Sequence, residues 1–430
     1  MEYQEIIEII ELVKKHNNWR KKECINLIAS ENVTSPLVDL VYLSDAMHRY
    51  AEGLPFKRYY QGTKYIDELE EKANEVLGEL FNAKFVDIRA ISGTTANGAA
   101  FYSLASIGDK ALVVPVFAGS HVSHTKYGIL GALGIKEIEM PFNGEEMCID
   151  LDATIKKIKE EKPKIVILGG TVILFEQPVK EIKEVMNEVG GYVLYDAAHV
   201  LGLIAGKKFQ NPVIEGADLT TSSTHKTFPG PQGGLCMSNN EEIFKKYRKI
   251  IFPVFVSNHH LHRIAATIIT AYEMKYFGEE YAESIVKNAK TLAESLHEFG
   301  FKVLGEKKGF TNTHQVILNV KEFGGGTYVA ELLEKCNIIT NKNMIPGDTP
   351  EMVKNPSGLR LGVQEMTRYG MKKSEMKYIA ELIYKAIIKK TDPELIKQEV
   401  IEFRKNYQTV KYTFDIDISK LTEIQIQALI

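Results

Sequence analysis

The sequence predicts an α/β protein: a mostly parallel sheet covered by helices, followed by a smaller α+β unit. Three observations predict it. Between about residues 65 and 240, short apolar runs alternate with stretches of helical period. Those runs lack the in-out alternation of a half-solvated strand, as strands covered on both faces do. After about residue 240 the pattern changes to long, charged helical stretches, "EEIFKKYRKII" and "EEYAESIVKNAKTLAESLHEFG".

Taken in order, residues 1–30 read as an N-terminal arm, whose "MEYQEIIEIIELVKKHNNWRKK" spaces Ile6, Ile9, Ile10 and Val13 along one face of an amphipathic helix. Residues 31–280 read as the large unit. In it "IDELEEKANEVLGELF" puts Ile66, Leu69, Ala73, Val76, Leu77 and Leu80 on one helical face, and "KFVDIRAI" follows as a strand. The strands "ALVVPVF", "KIVILGG", "YVLYDAA" and "ADLTTSS" come next, with helices over "IDLDATIKKIKEEKP" and "KEIKEVMNEVG". Residues 281–430 read as the small unit, with strands "HQVILNV" and "GLRLGV" and helices "TYVAELLEKC" and "KKSEMKYIAELIYKAIIKK". Its tail, from Asp392, reads as a helix and a short apolar end.

The composition narrows the class of ligand. The 430 residues carry 53 Lys+Arg against 56 Asp+Glu, a formal net charge of -3, which gives no basis for a nucleic-acid or anionic-membrane partner. Small-molecule substrates are expected instead. Cys24, Cys148, Cys236 and Cys336 are far apart and no histidines cluster at ligand spacing, so neither a disulfide framework nor a bound metal is expected. A reducing cytoplasm fits this cysteine usage, and the arm lacks the unbroken apolar core of a signal peptide.

Ligands of an open α/β sheet bind where the carboxyl ends of strands meet loops, so those loops carry the candidates. In "ISGTTANGAAFYSLAS", Gly93 permits a tight turn and Thr94 stands at a helix start, where N–H groups favour a phosphate, although Ser and Thr at such positions also serve simply as caps. In "VLYDAAHVLG", Asp196 ends an apolar strand; it is either a turn former or the counter-ion of a cationic ring nitrogen, with His199 three residues on. In "TTSSTHKTFPGPQGG", Lys226 is either a surface ammonium or a lysine of lowered pKa that forms a Schiff base. Schiff-base lysine, ring counter-ion and phosphate turn are together the three parts that pyridoxal 5'-phosphate requires. Arg360, in "NPSGLRLG", could grip a substrate carboxylate in two hydrogen bonds or serve a structural ion pair. The loop "RYAEGLPFKRYYQG" carries Tyr50, Glu52 and Tyr60, suited to proton transfer or to subunit packing.

The motifs "LIASENVTSP", "RYAEGLPFKRYYQG", "SGTTAN", "DAAHVLGL", "TTSSTHKTFPGPQGG", "NKN" and "SGLRLG", in this order and spacing, resemble serine hydroxymethyltransferase, a pyridoxal-phosphate enzyme of the aspartate-aminotransferase-like fold (fold type I); archaeal forms fall within the resemblance. They cover the chain from about residue 20 to 390. The resemblance implies that Lys226 is the Schiff-base lysine with His225 beside it, that Asp196 partners the pyridine nitrogen, and that His121 stacks on the ring. It implies Gly93 and Thr94 at the phosphate, His199 near the ring's 3-hydroxyl, and Ser30 and Arg360 at the substrate carboxylate. Glu52 is then the acid/base group, and Tyr50 and Tyr60 surround the substrate, with Tyr50 and Glu52 coming from the neighbouring subunit of a homodimer. Asn343 would touch the pterin ring, and Ser120 stands on the pterin-side loop. The implied reaction is the reversible conversion of L-serine and a tetrahydropterin, tetrahydrofolate or tetrahydromethanopterin, to glycine and the methylene-tetrahydropterin by retro-aldol cleavage. A pterin-independent threonine or allo-threonine aldolase and a catalytically silent scaffold are the rival expectations.

Four departures accompany the resemblance, one of them Ser120, which stands where the pterin-side loop usually has glycine. "FPVFVSNHHLH" replaces a glycine-rich stretch, leaving His259 or His260 as a candidate side-chain donor to the phosphate. Val172 stands where a serine normally contacts the cofactor, and Gln232 replaces an arginine in the lysine motif.

Overall fold

The computed structural model describes residues 3–415 and Asp417. Helix Lys64–Phe81 forms where the apolar spacing predicts it, burying Ala73, Val76, Leu77 and Phe81 and stopping at Asn82 in the left-handed conformation (φ 55°). Each fully buried side chain of this size contributes about 1.5–3 kcal/mol, so this face, more than its propensity, holds the helix.

The sheet at the centre has seven strands, in the order Phe85–Asp87, Gly234–Ser238, Leu219–Ser223, Tyr192–Asp196, Ile165–Gly169, Lys110–Val113, Lys136–Glu139. Neighbours from Leu219–Ser223 to Lys136–Glu139 are parallel, and Gly234–Ser238 is antiparallel to both strands beside it. Two of these strands escape a reading based on apolar runs. Lys136–Glu139 is a charged edge strand, and Gly234–Ser238 sits at the end of a Pro/Gly stretch.

Helix Arg263–Glu298, 36 residues long, leaves the large sheet and packs on both Lys64–Phe81 and Lys373–Ile387. The expected change of unit at residue 281 falls inside this continuous helix. Beyond it lies a four-stranded antiparallel sheet in the order Lys302–Val303, Gln315–Asn319, Gly358–Gly362, Asn341–Asn343. The N-terminal arm joins this region, because Ile25–Asn26 pairs in parallel with Ile338–Ile339. Helix Gln4–Asn18 of the arm buries none of its residues, and Ile6, Ile9, Ile10 and Val13 are all exposed. No helix among the described residues is long and apolar enough to cross a membrane.

A wholly buried ion pair fastens the long helix to the small unit. Arg368 Nη2 meets Glu273 Oε2 at 2.5 Å. Arg368 Nη1 donates to the carbonyl of Tyr412 at 2.6 Å, and Thr413 Oγ1 donates to Glu273 Oε1 at 2.6 Å. Truncating one partner strands the other charge away from water, so Glu273→Ala is expected to lower unfolding free energy by about 3–5 kcal/mol in urea or guanidinium titrations. Removing the exposed Glu11–Lys14 pair should leave the midpoint unmoved.

Candidate active site

The parallel strands deliver their carboxyl ends to one edge of the sheet. Tyr192–Asp196 ends on Asp196 itself, Leu219–Ser223 leads into His225 and Lys226, Ile165–Gly169 leads into Thr171, and Lys110–Val113 leads through a short helical turn to Ser120 and His121. Four motifs distant in sequence thus become one site.

Asp196 is buried and has three hydrogen-bond partners, with acceptor capacity left for one more donor. Its Oδ2 faces His124 Nε2 at 3.0 Å and accepts from Asn97 Nδ2 at 2.8 Å, and its Oδ1 accepts from the N–H of Ala198 at 3.0 Å. Thr221 Oγ1 in turn donates to Asn97 Oδ1 at 2.6 Å. Burial alone would raise the Asp196 carboxyl, but the hydrogen bond and charge of His124, with His121 and Lys226, hold it well below the usual carboxylate range. The group stays ionised and suits a protonated ring nitrogen.

Lys226 lies one residue beyond His225, and loss of water around its ammonium pushes its pKa down to about 8; Asp196 opposes that shift and Arg360 adds to it. Asn32 Nδ2, from the arm, donates to the Lys226 carbonyl at 2.6 Å. The glycines that follow are needed for close approach. A Cβ at Gly233 would fall 2.1 Å from Arg263 Cζ, and one at Gly234 would fall 2.3 Å from the carbonyl oxygen of Ser92. Arg263 is fully buried and donates to the carbonyls of Ile88, Ala90 and Gly234 at 2.6, 2.9 and 3.0 Å. Gln232 is exposed beside this core.

Helix Gly93–Leu104 begins at the candidate phosphate turn. Ser92 caps it by accepting from the N–H of Thr95 at 3.1 Å, so the reading of a cap and the reading of a phosphate site fall on neighbouring residues. The N–H groups of Gly93 and Thr94 enter none of the backbone bonds that close the helix. Beside Gly93 lies Ser223, whose buried Oγ has no partner. Ser120 Oγ and His225 Nδ1 are likewise buried without partners. Burial pushes His121 and His225 each down to about 4, so both are neutral donors or acceptors.

The small unit supplies the opposite wall. Arg360, on strand Gly358–Gly362, donates from Nη1 to the carbonyl of Thr171 at 3.0 Å and from Nε to Asn341 Oδ1 at 3.3 Å. Among the described residues no carboxylate partners it, and burial pushes it down to about 10. Ser30 follows Ala29, whose Cα would lie 2.4 Å from a Cβ at Gly362 on that strand. His199 faces this wall and stacks on His314, with ring centroids 5.4 Å apart.

Other expected residues stand apart from this cluster. Tyr50 and Tyr60 pack on one another at 5.3 Å between ring centroids, exposed by 52% and 44%. No hydrogen bond or ring contact carries them, or Glu52, to Lys226 in this chain. Asn343 Nδ2 donates to the carbonyl of Met344, and it is Asn341 of the same motif that touches Arg360. His259 is not free to serve a phosphate, because it is buried with Nε2 3.1 Å from Glu70 Oε2, in a network that includes Arg58 and Asp67. Val172 packs among Leu174, Phe175, Ile317 and Ile345, an apolar role that accounts for its side chain. Asn97, His124, Thr221, Ser223, Arg263, His314 and Gln315 escape the sequence reading; the signal they offer is polarity inside otherwise apolar or small-residue segments.

These residues fit pyridoxal phosphate. A nucleophilic amine, an ionised carboxylate, orphaned hydroxyls beside a helix start and neutral imidazoles are the donor set it needs.

Residues 3–383 match the family model for serine hydroxymethyltransferase. Serine hydroxymethyltransferase of Staphylothermus marinus is 60% identical over 422 residues, covering 98% of this chain and 96% of the relative. That of Sulfolobus acidocaldarius is 56% identical over 428 residues, covering 99% of each. Among solved structures, L-threonine transaldolase from Pseudomonas fluorescens, in its internal aldimine state, superposes with a TM-score of 0.91 at 29% identity, covering 100% of this chain and 98% of that one.

Only the unprotonated Lys226 amine attacks a carbonyl, so capture of pyridoxal phosphate by protein stripped of cofactor should quicken as pH rises through about 8. An ordinary lysine would put that rise near pH 10.4, and stopped-flow absorbance distinguishes the two.

Proposed function

Because the chain belongs to the serine hydroxymethyltransferase family, we propose how its own residues divide the work of that reaction. The protein is a pyridoxal-phosphate-dependent transferase that interconverts serine and glycine, with a tetrahydropterin as co-substrate. The pterin-independent aldolase reading is not favoured, since relatives at 56% and 60% identity are serine hydroxymethyltransferases.

When bound, pyridoxal phosphate supplies a carbonyl for the substrate's amino group and a cationic ring that draws electrons from the α-carbon. Lys226 Nζ anchors that carbonyl, and the Asp196 carboxylate holds the proton on the ring nitrogen. Gly93 and Thr94 offer their N–H groups, with Ser223 Oγ, to the phosphate. His121 would stack on the ring face and His199 would meet the 3-oxygen, while neutral His225 flanks Lys226. Arg360, steadied from behind by Thr171 and Asn341 through Nη1 and Nε, turns its remaining Nη2 with Ser30 Oγ to the substrate carboxylate. Glu52 accepts the proton of the substrate hydroxyl as the carbon–carbon bond opens, with Tyr50 and Tyr60 lining the same side. Asn343 and Ser120 serve the pterin.

The observation that carries this assignment is the convergence of a low-pKa Lys226, an ionised Asp196 and an Arg360 without a carboxylate. Lys226→Ala is expected to abolish multiple turnover of serine. Persisting turnover with the visible cofactor band intact would refute the role. Serine turnover should require added pterin; rates with tetrahydrofolate and tetrahydromethanopterin identify the carrier.

The protein works as a homodimer in the cytoplasm on this reading. Its support is the exposed apolar face of helix Gln4–Asn18, the lack of any contact between Glu52 and Lys226 among the described residues, and four unpaired cysteines. Subunit mixing tests the dimer and the shared site together. Lys226→Ala and Glu52→Ala are each expected to be inactive alone, whereas a hybrid dimer would hold one site free of both changes and should regain activity. A hybrid that stays silent would assign Glu52 to its own chain's site.

A further inference from the structure

Gln315 sits at the start of strand Gln315–Asn319, wholly buried, within an otherwise apolar run. Its amide can point only one way. Oε1 lies 2.8 Å from the backbone nitrogen of Ile173, which can only donate, so the oxygen is at that end. Nε2 lies 2.7 Å from the carbonyl of Thr171, which can only accept, and 3.1 Å from His199 Nδ1. With one N–H spent on Thr171, the other points at Nδ1, which must therefore be a bare acceptor. His314 agrees with this. Its Nε2 carries a hydrogen because it donates to the carbonyl of Ala29 at 3.1 Å, and the same nitrogen meets His199 Nδ1 at 3.2 Å.

We propose that Gln315 is a positioning residue that fixes His199 as the Nε2–H tautomer, so that the ring presents a donor to the bound cofactor. This rests on the reading of His199 as the neighbour of the cofactor's 3-oxygen. Neutrality of the ring supports the assignment. Burial drives His199 well below the usual histidine range, helped by the charges of Lys226 and Arg360 and by His314 and His121, and burial brings His314 down to about 3. A neutral ring with an accepting Nδ1 has its hydrogen on Nε2, and a donor there favours the anionic form of the 3-oxygen. The carbonyl of Thr171 that orients Gln315 also receives Arg360 Nη1, so one oxygen registers the cofactor-side and carboxylate-side groups against each other.

Long-range nitrogen NMR on the histidine-labelled full-length protein, with pyridoxal phosphate bound and after its removal, reads the tautomer directly. His199 is assigned by the signal that His199→Asn removes. The expected pattern is a pyridine-type Nδ1 and a pyrrole-type Nε2. In Gln315→Leu the donor is gone and the two ring forms should mix; in Gln315→Glu, an acceptor facing Nδ1 should favour the opposite tautomer. A pyrrole-type Nδ1 in the unaltered protein overturns the proposal, and so does an unchanged His199 pattern in the folded variants. The visible absorbance of the bound cofactor should shift its titration midpoint by about one pH unit in Gln315→Leu, the scale of one lost hydrogen bond. A changed ring pattern with an unmoved absorbance titration supports the hold of Gln315 on His199 and refutes the placement of His199 beside the 3-oxygen.

Discussion

A carboxylate that stays ionised without water must be surrounded by donors, and much of the site's organisation follows from meeting that need at Asp196. Its three bonds come from three places: an imidazole on the loop after one strand, an amide from the helix after another, and the N–H of a residue two positions on. The amide of Asn97 is itself oriented by Thr221, on the strand next to that of Asp196. The order of strands therefore matters chemically. Only where Leu219–Ser223 lies beside Tyr192–Asp196 can a threonine of one aim the group that steadies the aspartate of the other.

Around this anion the site holds cations with little carboxylate compensation and, in His121, His199 and His225, histidines without charge. Lys226, Arg360 and Arg263 are each depressed by burial, and Arg263 is held by three carbonyls and the hydroxyl of Thr224. Such a group of under-compensated cations costs stability in the free protein and favours an anionic ligand. A phosphate and a carboxylate both answer it. The neutral imidazoles contribute direction rather than charge, which makes the choice of tautomer as consequential as the choice of residue.

Asp196 and Lys226 are legible in the sequence because each stands at or just past the end of a short strand and before a turn, and Arg360 because it is the one ionisable residue of the strand "GLRLG". The alternation of apolar runs with helical periods likewise gives the class of fold. What the sequence hides is lateral. His124 and Asn97 act on Asp196 across strands, and Gln315 acts on His199 across more than a hundred residues, so no local spacing relates them. The clue within the run "HQVILNV" is a glutamine where a buried strand would take an aliphatic residue. Similarly, His259 looks available in "SNHHLH", yet its partner Glu70 lies on a helix whose polar residues read as solvated.

The pairing of Ile25–Asn26 with Ile338–Ile339 ties the arm to a strand more than three hundred residues later, beside the wall that carries Arg360. Ser30 and Asn32 are among the first residues made, but the strand that receives their arm is among the last. During synthesis the large sheet can close around Asp196 and Lys226 while the arm still waits for its partner strand. The contact is of long range in sequence and so costly in loop entropy to form early. Synthesis from the N-terminus is therefore expected to form the side of the site with Asp196 and Lys226 ahead of the side with Ser30 and Arg360.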